Sequence, residues 1–254
     1  MRNKITTLAA AALLSTSANA ALPFGVSLES QAPGIQNSTS GFSFVGVERF
    51  EGRPGSFTTD FGSGSAFSGV YTGASVIPAD QYGGAGGTGE YAVTFSSTGY
   101  TLDLSSTVGG VTYFGFWLSA LDGGNNVTFY SGGNRLFTFS SSDARDFIQS
   151  LPSNSSYYGN PNAPFLNQNS GEPYTFLNFY ADTGVTFDKI VFSQSQGGGY
   201  ESDNHTVGQW TRKSGTFIPN AGAVPEPESW ALMIAGFGMV GAVMRGRSKT
   251  AVVA

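Results

Sequence analysis

Through residues 21–218 apolar positions come in short runs, cut at close intervals by Gly, Ser, Asn and Asp. That pattern predicts strands joined by tight turns. Gly41 to Phe50 alternates Phe42, Phe44 and Val47 with smaller residues and stops at Arg53-Pro54-Gly55. Residues 51 to 89 are rich in Gly, Ser and Thr, and Gly83-Gly84-Ala85-Gly86-Gly87 reads as a flexible loop. Glu90 to Phe95 and Tyr100 to Leu104 are the arms of a predicted hairpin around Ser97-Thr98-Gly99. Val111 to Leu121 is too continuously apolar to have a wet face, which predicts a central strand. Asp122-Gly123-Gly124-Asn125 then turns the chain into Asn126 to Tyr130, where Val127 and Phe129 share a face. Ser131-Gly132-Gly133-Asn134 turns it again into Arg135 to Phe139, where Phe137 and Phe139 do. Together these three strands read as a β-meander.

One stretch changes period. Ser141 or Ser142 can cap a helix, Asp143 suits its first turn, and Ala144, Phe147, Ile148 and Leu151 fall at helical spacing before Pro152 stops it. Asn154 to Glu172 is predicted as a long surface loop, and Tyr174 to Tyr180, Phe187 to Ser193 and Gln209 to Phe217 complete the strands. The fold expected over residues 21–218 is therefore a single all-β domain, an antiparallel, jelly-roll-like β-sandwich with one short helix.

The two ends have a different character. Arg2 and Lys4, an apolar run from Ile5 to Leu14, and Ala18-Asn19-Ala20 make a secretory signal peptide over residues 1–20, with a mature chain from Ala21. At the other end, residues 219–229 are a linker in which Pro225 and Pro227 enforce an extended peptide. Trp230 to Met244 is an uncharged run of fifteen residues, followed by Arg245, Arg247 and Lys249 in a basic stretch over 245–254. As a helix that run covers roughly 22 Å at ~1.5 Å per residue, against a hydrocarbon core of roughly 30 Å. An interfacial Trp and snorkelling arginines let it serve as a short transmembrane helix, its basic end cytoplasmic. Gly236-Phe237-Gly238-Met239-Val240-Gly241 fits G-x-G-x-x-G, but it follows prolines and has no acidic residue about 20 positions on, so it does not predict a nucleotide site.

Pro225-Glu226-Pro227, Trp230-Ala231, the apolar run and the arginines resemble the PEP-CTERM sorting signal in its Trp-Ala variant. The resemblance implies an exosortase as partner, transient residence in the inner membrane of a Gram-negative bacterium, and delivery to the cell surface or extracellular matrix. It makes Pro225, Glu226 and Pro227 the recognition motif, Trp230 to Met244 the span, and Arg245 and Arg247 the stop. Tyr113-Phe114-Gly115-Phe116-Trp117, Val127-Thr128-Phe129-Tyr130, Phe187 to Ser193 and Glu201-Ser202-Asp203-Asn204 resemble the ectodomains of exosortase-dependent surface proteins, which are β-sandwiches.

Composition narrows the chemistry. There is no cysteine, hence no disulfide framework and no thiol nucleophile. Residues 21–224 hold 7 Lys and Arg against 15 Asp and Glu, a net charge of −8, which disfavours nucleic acid and anionic lipid as partners. The single histidine, His205, has no G-x-S-x-G nucleophile to serve and reads as a polar residue on a strand or turn. The acids from Asp143 to Asp203 could supply a glycosidase pair, since that chemistry needs only two carboxylates at a set spacing. Oxygen-rich turns at Asp122, Asn125, Glu201, Asp203 and Asn204 offer ligands for a structural calcium, and are equally ordinary turn formers. Tyr157, Tyr158, Phe165, Tyr174 and Tyr200, set among Asn and Gln, are candidate stacking faces for exopolysaccharide. The expectation is a non-enzymatic, cofactor-free structural or adhesive surface protein, with a polysaccharide-binding module or a secreted glycan hydrolase as alternatives.

Overall fold

In the computed structural model, residues 23–29, 35–95, 97–196, 198–219 and 221 are described, with 234, 236, 237 and 239 in the tail. The chain opens with β1 (Phe24–Leu28) and β2 (Gly41–Glu48), then three short strands, β3 (Ser56–Thr59), β4 (Gly69–Thr72) and β5 (Ser75–Pro78). β6 (Glu90–Thr94), β7 (Tyr100–Asp103), β8 (Tyr113–Leu118), β9 (Asn125–Ser131) and β10 (Asn134–Ser140) lead into helix α1 (Ser141–Ser150). β11 (Thr175–Ala181), β12 (Lys189–Gln194), β13 (Tyr200–Arg212) and β14 (Thr216–Phe217) follow.

The strands form two antiparallel sheets. The first runs β14-β1-β11-β8-β13-β6-β5, with β2 also paired to β13; the second runs β10-β9-β12-β7-β4-β3. Their inner faces share one aromatic core. Phe24 of the first sheet meets Phe129 of the second at 4.7 Å between ring centroids, and Phe116 meets Phe192 at 5.4 Å. Two hydrogen bonds cross the same gap: Tyr71 Oη to His205 Nδ1 at 2.9 Å, and Tyr100 Oη to Ser202 Oγ at 2.7 Å. The β-sandwich expectation thus appears as two facing antiparallel sheets with one α-helix among the described residues.

The helix forms as its spacing predicts. Its cap is Ser140, whose hydroxyl accepts from Ser142 N at 3.3 Å, and Ala144 and Ile148 are buried. The central strand is also as expected: β8 lies between β11 and β13 and is buried at all six positions.

Several local predictions change. β6 and β7 do not form a hairpin. β6 pairs with β5 and β13 in the first sheet, and β7 with β4 and β12 in the second, so the intervening turn carries the chain across the core. The meander fails at its first turn for the same reason: β8 belongs to the first sheet and β9 to the second, while β9 and β10 do pair. Turn residues mark where a chain reverses; which sheet receives the next strand is decided by distant partners. Residues 51–89 hold three strands, and their glycine patch is seated rather than loose. A Cβ on Gly83 would lie 2.3 Å from the Tyr91 ring, and Ala85 N donates to Asp203 Oδ2 at 2.7 Å. β2 turns Phe44 and Val45 outward, where they are exposed, and buries Glu48, which Arg53 grips through Nη2 at 2.9 Å and Nε at 3.2 Å. The last long strand starts at Tyr200, nine residues before the predicted start at Gln209. The signal peptide, Pro225, Glu226, Pro227, Trp230, Arg245 and Arg247 lie outside the described residues. Ile234, Gly236, Phe237 and Met239 are helical; no helix among the described residues is long and apolar enough to cross a membrane.

His205 is on β13 as expected of a strand residue, but it faces the core. It is fully buried, its ring lies 5.0 Å from that of Phe192 and 4.8 Å from that of Phe50, and its Nε2 has no hydrogen-bond partner among the described residues. Burial pushes its imidazole down to about 3, so it is neutral at working pH.

The outer face of the first sheet also holds a carboxylate, Glu29, only 1% exposed. It accepts from Thr39 N at 2.9 Å, Thr39 Oγ1 at 2.8 Å, Ser38 Oγ at 3.4 Å, Ser214 Oγ at 2.9 Å and Asn178 Nδ2 at 3.1 Å. Glu29 thereby ties β1, β11, residues 38–39 and Ser214 together. Replacing it by alanine orphans buried donors and is expected to cost about 3–5 kcal/mol, with Glu29→Gln costing less. Denaturant unfolding of the full chain in detergent checks this; a loss below about 1 kcal/mol contradicts the role.

Candidate functional site

Along β13 the inner face carries Tyr200, whose ring packs 5.5 Å from Phe192, and Ser202. Side chains alternate along a strand, so Glu201 and Asp203 point to the outer face. Asp203 stands opposite Trp117 of β8, which packs with Tyr174 and Phe176 in a second apolar cluster. This cluster is roofed by the segment before β6. Tyr174 Oη donates to Gln81 O at 2.6 Å, Tyr91 Oη donates to Asp80 Oδ1 at 3.1 Å, and Asp80 Oδ1 also accepts from Tyr82 N and Gly83 N.

Beside the roof is a hollow of about 540 Å³ lined by Tyr82, Phe95, Ala120, Asp122, Glu172, Gly198, Gly199 and Glu201. Its acids come from three strand ends: Glu201 from the start of β13, Asp122 from just after β8, Glu172 from just before β11. Tyr82 and Phe95 are 42% and 65% exposed, so both offer ring faces to a ligand. The glycines make room for the acids. A Cβ on Gly198 would come 2.8 Å from Asp122 Oδ2, and one on Gly199 would overlap Glu201 Oε1. Ala120 has φ +46, an uncommon conformation for a residue with a side chain.

Electrostatically the hollow is one-signed. Burial pushes the Glu201 carboxyl up to about 8, and the charges of Asp122, Glu172 and Asp80 add to this against a bond to its own backbone. Burial, then Glu172, pushes Asp122 up to about 6, with Arg145, the Asn125 amide and its own backbone opposing. Asp122 Oδ1 is buried without a hydrogen-bond partner, and the neighbouring Asn125 Nδ2, also buried, forms no well-aligned bond among the described residues. Glu172 accepts from Asn169 Nδ2.

Of the proposed calcium ligands, the fold brings Asp122 and Glu201 into one hollow and leaves Asn125 beside Asp122. Asp203 is already held by Ala85 N and by Asn204 N at 2.6 Å, and Asn204 Nδ2 donates to Gln36 O at 2.9 Å. Glu201 to Asn204 is strand, with a bulge between Asp203 and Thr206 and φ +49 at Asn204, rather than the turn read from its oxygen-rich residues. Among the described residues no group of three or more His, Asp or Glu is placed to hold a metal ion. Tyr157, Tyr174 and Tyr200 are buried and present no stacking face; Tyr158 and Phe165 are half-buried. Tyr82 and Phe95 were missed, and Glu172 stood out only within the run of acids from Asp143 to Asp203. The available signal was an aromatic beside an Asp-Gln-Tyr-Gly turn and a glycine run ahead of Tyr200-Glu201.

These proton affinities set the pH response of the fold. Glu201, raised to about 8, favours the folded state most below the carboxylate's unfolded value near 4.5, and this support is lost as pH rises through about 8. His205, lowered to about 3, acts oppositely: its support is full above the unfolded value near 6.5 and is lost as pH falls toward 3. Glu201→Gln is expected to gain on the wild type steadily between pH 5 and pH 8, measured by denaturant midpoints. A difference independent of pH overturns the assignment.

Residues 223–248 match the family model of the PEP-CTERM protein-sorting motif. Neither a curated protein nor a solved structure matches the chain. The motif implies exosortase processing of a secreted, membrane-anchored precursor bound for the cell surface. The matched segment takes in the Pro-Glu-Pro, the apolar run and the arginines, so this chain carries a PEP-CTERM sorting signal at residues 223–248.

Proposed function

We propose that this is an exosortase-sorted surface or exopolysaccharide-associated protein, non-enzymatic, whose sandwich body holds a polysaccharide in the hollow at Glu201. One observation carries the reading: the exposed rings of Tyr82 and Phe95 line the same concavity as Asp122, Glu172 and Glu201. Flat apolar faces beside a few convergent polar groups suit a sugar ring, which has apolar faces and a hydroxyl-bearing edge. This places the stacking role on Tyr82 and Phe95 instead of the tyrosines first considered. No cofactor is required.

A second reading, a glycan hydrolase, is favoured by the same carboxylates, since Glu201 at about 8 and Asp122 at about 6 divide into a protonated and an ionised partner near neutral pH. Turnover of a glycan that disappears in both Glu201→Gln and Asp122→Asn would establish it over plain binding.

Two outcomes test the leading reading. Replacing Pro225, Glu226 and Pro227 with alanine should leave the precursor in the membrane fraction; unchanged delivery to the surface would sink the sorting role. Separately, the full chain in detergent micelles should be retained on its host's exopolysaccharide. Tyr82→Ala with Phe95→Ala should weaken retention by roughly 5- to 150-fold, at ~0.5–1.5 kcal/mol for each ring. Retention unchanged by both substitutions rejects this site.

A further inference from the structure

Elsewhere in this body buried acids are matched. Glu29 has five donors, Glu48 has the Arg53 fork, and Asp203 has two backbone amides. The hollow departs from that rule. Glu201 is only 6% exposed, and the hydrogen bond that acts on its carboxyl comes from its own backbone. Asp122 Oδ1 beside it is buried and unpartnered. Among the described residues the lining contains three acids and no Lys, Arg or His, and Arg145 acts on Asp122 from outside it. A buried acceptor without a donor, as at Asp122 Oδ1, is costly, and like charges gathered in one concavity raise that cost. A ligand that brings donors together with positive charge removes both penalties.

The occupant's chemistry follows. An ammonium group supplies three donors and a charge, and exposed aromatic rings attract it through their faces, as Tyr82 and Phe95 can do here. A divalent metal fits less well, because Glu172 is engaged by Asn169 and no metal-holding group of acids is present among the described residues. A neutral sugar hydroxyl supplies a single donor and leaves the charge uncompensated. We propose that the hollow at Glu201 and Asp122 recognises a free amino group on a sugar, so that the polysaccharide it holds carries unacetylated amino sugars. This rests on the polysaccharide reading and specifies its ligand. Glu201 and Asp122 take the ammonium, and Tyr82 and Phe95 take the ring.

The experiment compares binding of a glucosamine oligomer and of the N-acetylated oligomer of equal length to the full chain in detergent micelles at pH 6, by calorimetry. The expected result is at least a tenfold preference for the amine, abolished in Glu201→Gln and in Asp122→Asn. Each variant is first checked for a single cooperative unfolding transition, and either one that folds suffices. Equal binding of both oligomers overturns the amine inference and leaves the polysaccharide reading standing. Binding of neither overturns both. A preference that survives the substitutions, or that excess calcium abolishes, also overturns the inference, the latter by making the hollow a divalent-cation site.

Discussion

β8 is dry on both faces, and most of what is distinctive in this molecule follows from that requirement. Its inner residues Phe114 and Phe116 are covered by the second sheet. Its outer residues Tyr113 and Trp117 have no third sheet to cover them, so the chain's own connections fold back to do it. At one end Tyr113 Oη donates to Asn178 Oδ1 at 2.6 Å, and Asn178 reaches Glu29, which secures the segment at 38–39. At the other end Trp117 lies 5.7 Å from Tyr174, under the roof that Asp203 pins through Ala85 N. Connecting segments carry backbone polar groups that must be satisfied, so a cover made of them brings buried acids with it. The Glu29 network and the acidic hollow are two answers to one packing demand.

This explains what was legible in the sequence. Local signals worked where local physics decides: the continuous apolar run of β8, the helical spacing of Ala144 and Ile148, the Val127 and Phe129 face of β9. They failed where the answer depends on partners far along the chain. Ser97-Thr98-Gly99 has the same turn chemistry whether it closes a hairpin or carries the chain between sheets. Gly83 to Gly87 has the composition of a linker, yet its lack of side chains is what lets backbone lie against Tyr91 and Asp203. The site was half legible: Asp122 and Glu201 were singled out, but as separate calcium turns. They converge because Ser202 pairs with Leu118, placing Glu201 at the start of β13 beside the residues that follow β8. Tyr174 and Tyr200 look like loop aromatics by position and are core by topology.

The hollow also shows how a domain with few charges handles acids. Charged residues are 11% of the chain, and the body provides local donors for Glu29, Glu48 and Asp203. At Glu201, as at Asp203, burial raises the proton affinity of the carboxyl, which keeps Glu201 neutral near pH 7 until a cation displaces the proton. Glycines at 198 and 199 clear space in front of two acids, and an exposed Phe95 lies beside them.

Strand register relates this site to the sorting signal. Leu28 pairs with Leu177, which pairs with Phe116, and Val26 pairs with Phe179, which pairs with Phe114. Thr216 and Phe217 run past Leu28 and Ser27, and Ile218 N donates to Val26 O at 2.9 Å, so the chain leaves the first sheet toward the Tyr113 end of β8. The acids of the hollow follow Leu118, precede Thr175 and precede Ser202, all at the opposite end. Ala221 is still buried, and Pro225 comes four residues later, at most about 14 Å of extended chain. The described chain thus leaves the body at one end of β8, and the hollow lies at the other.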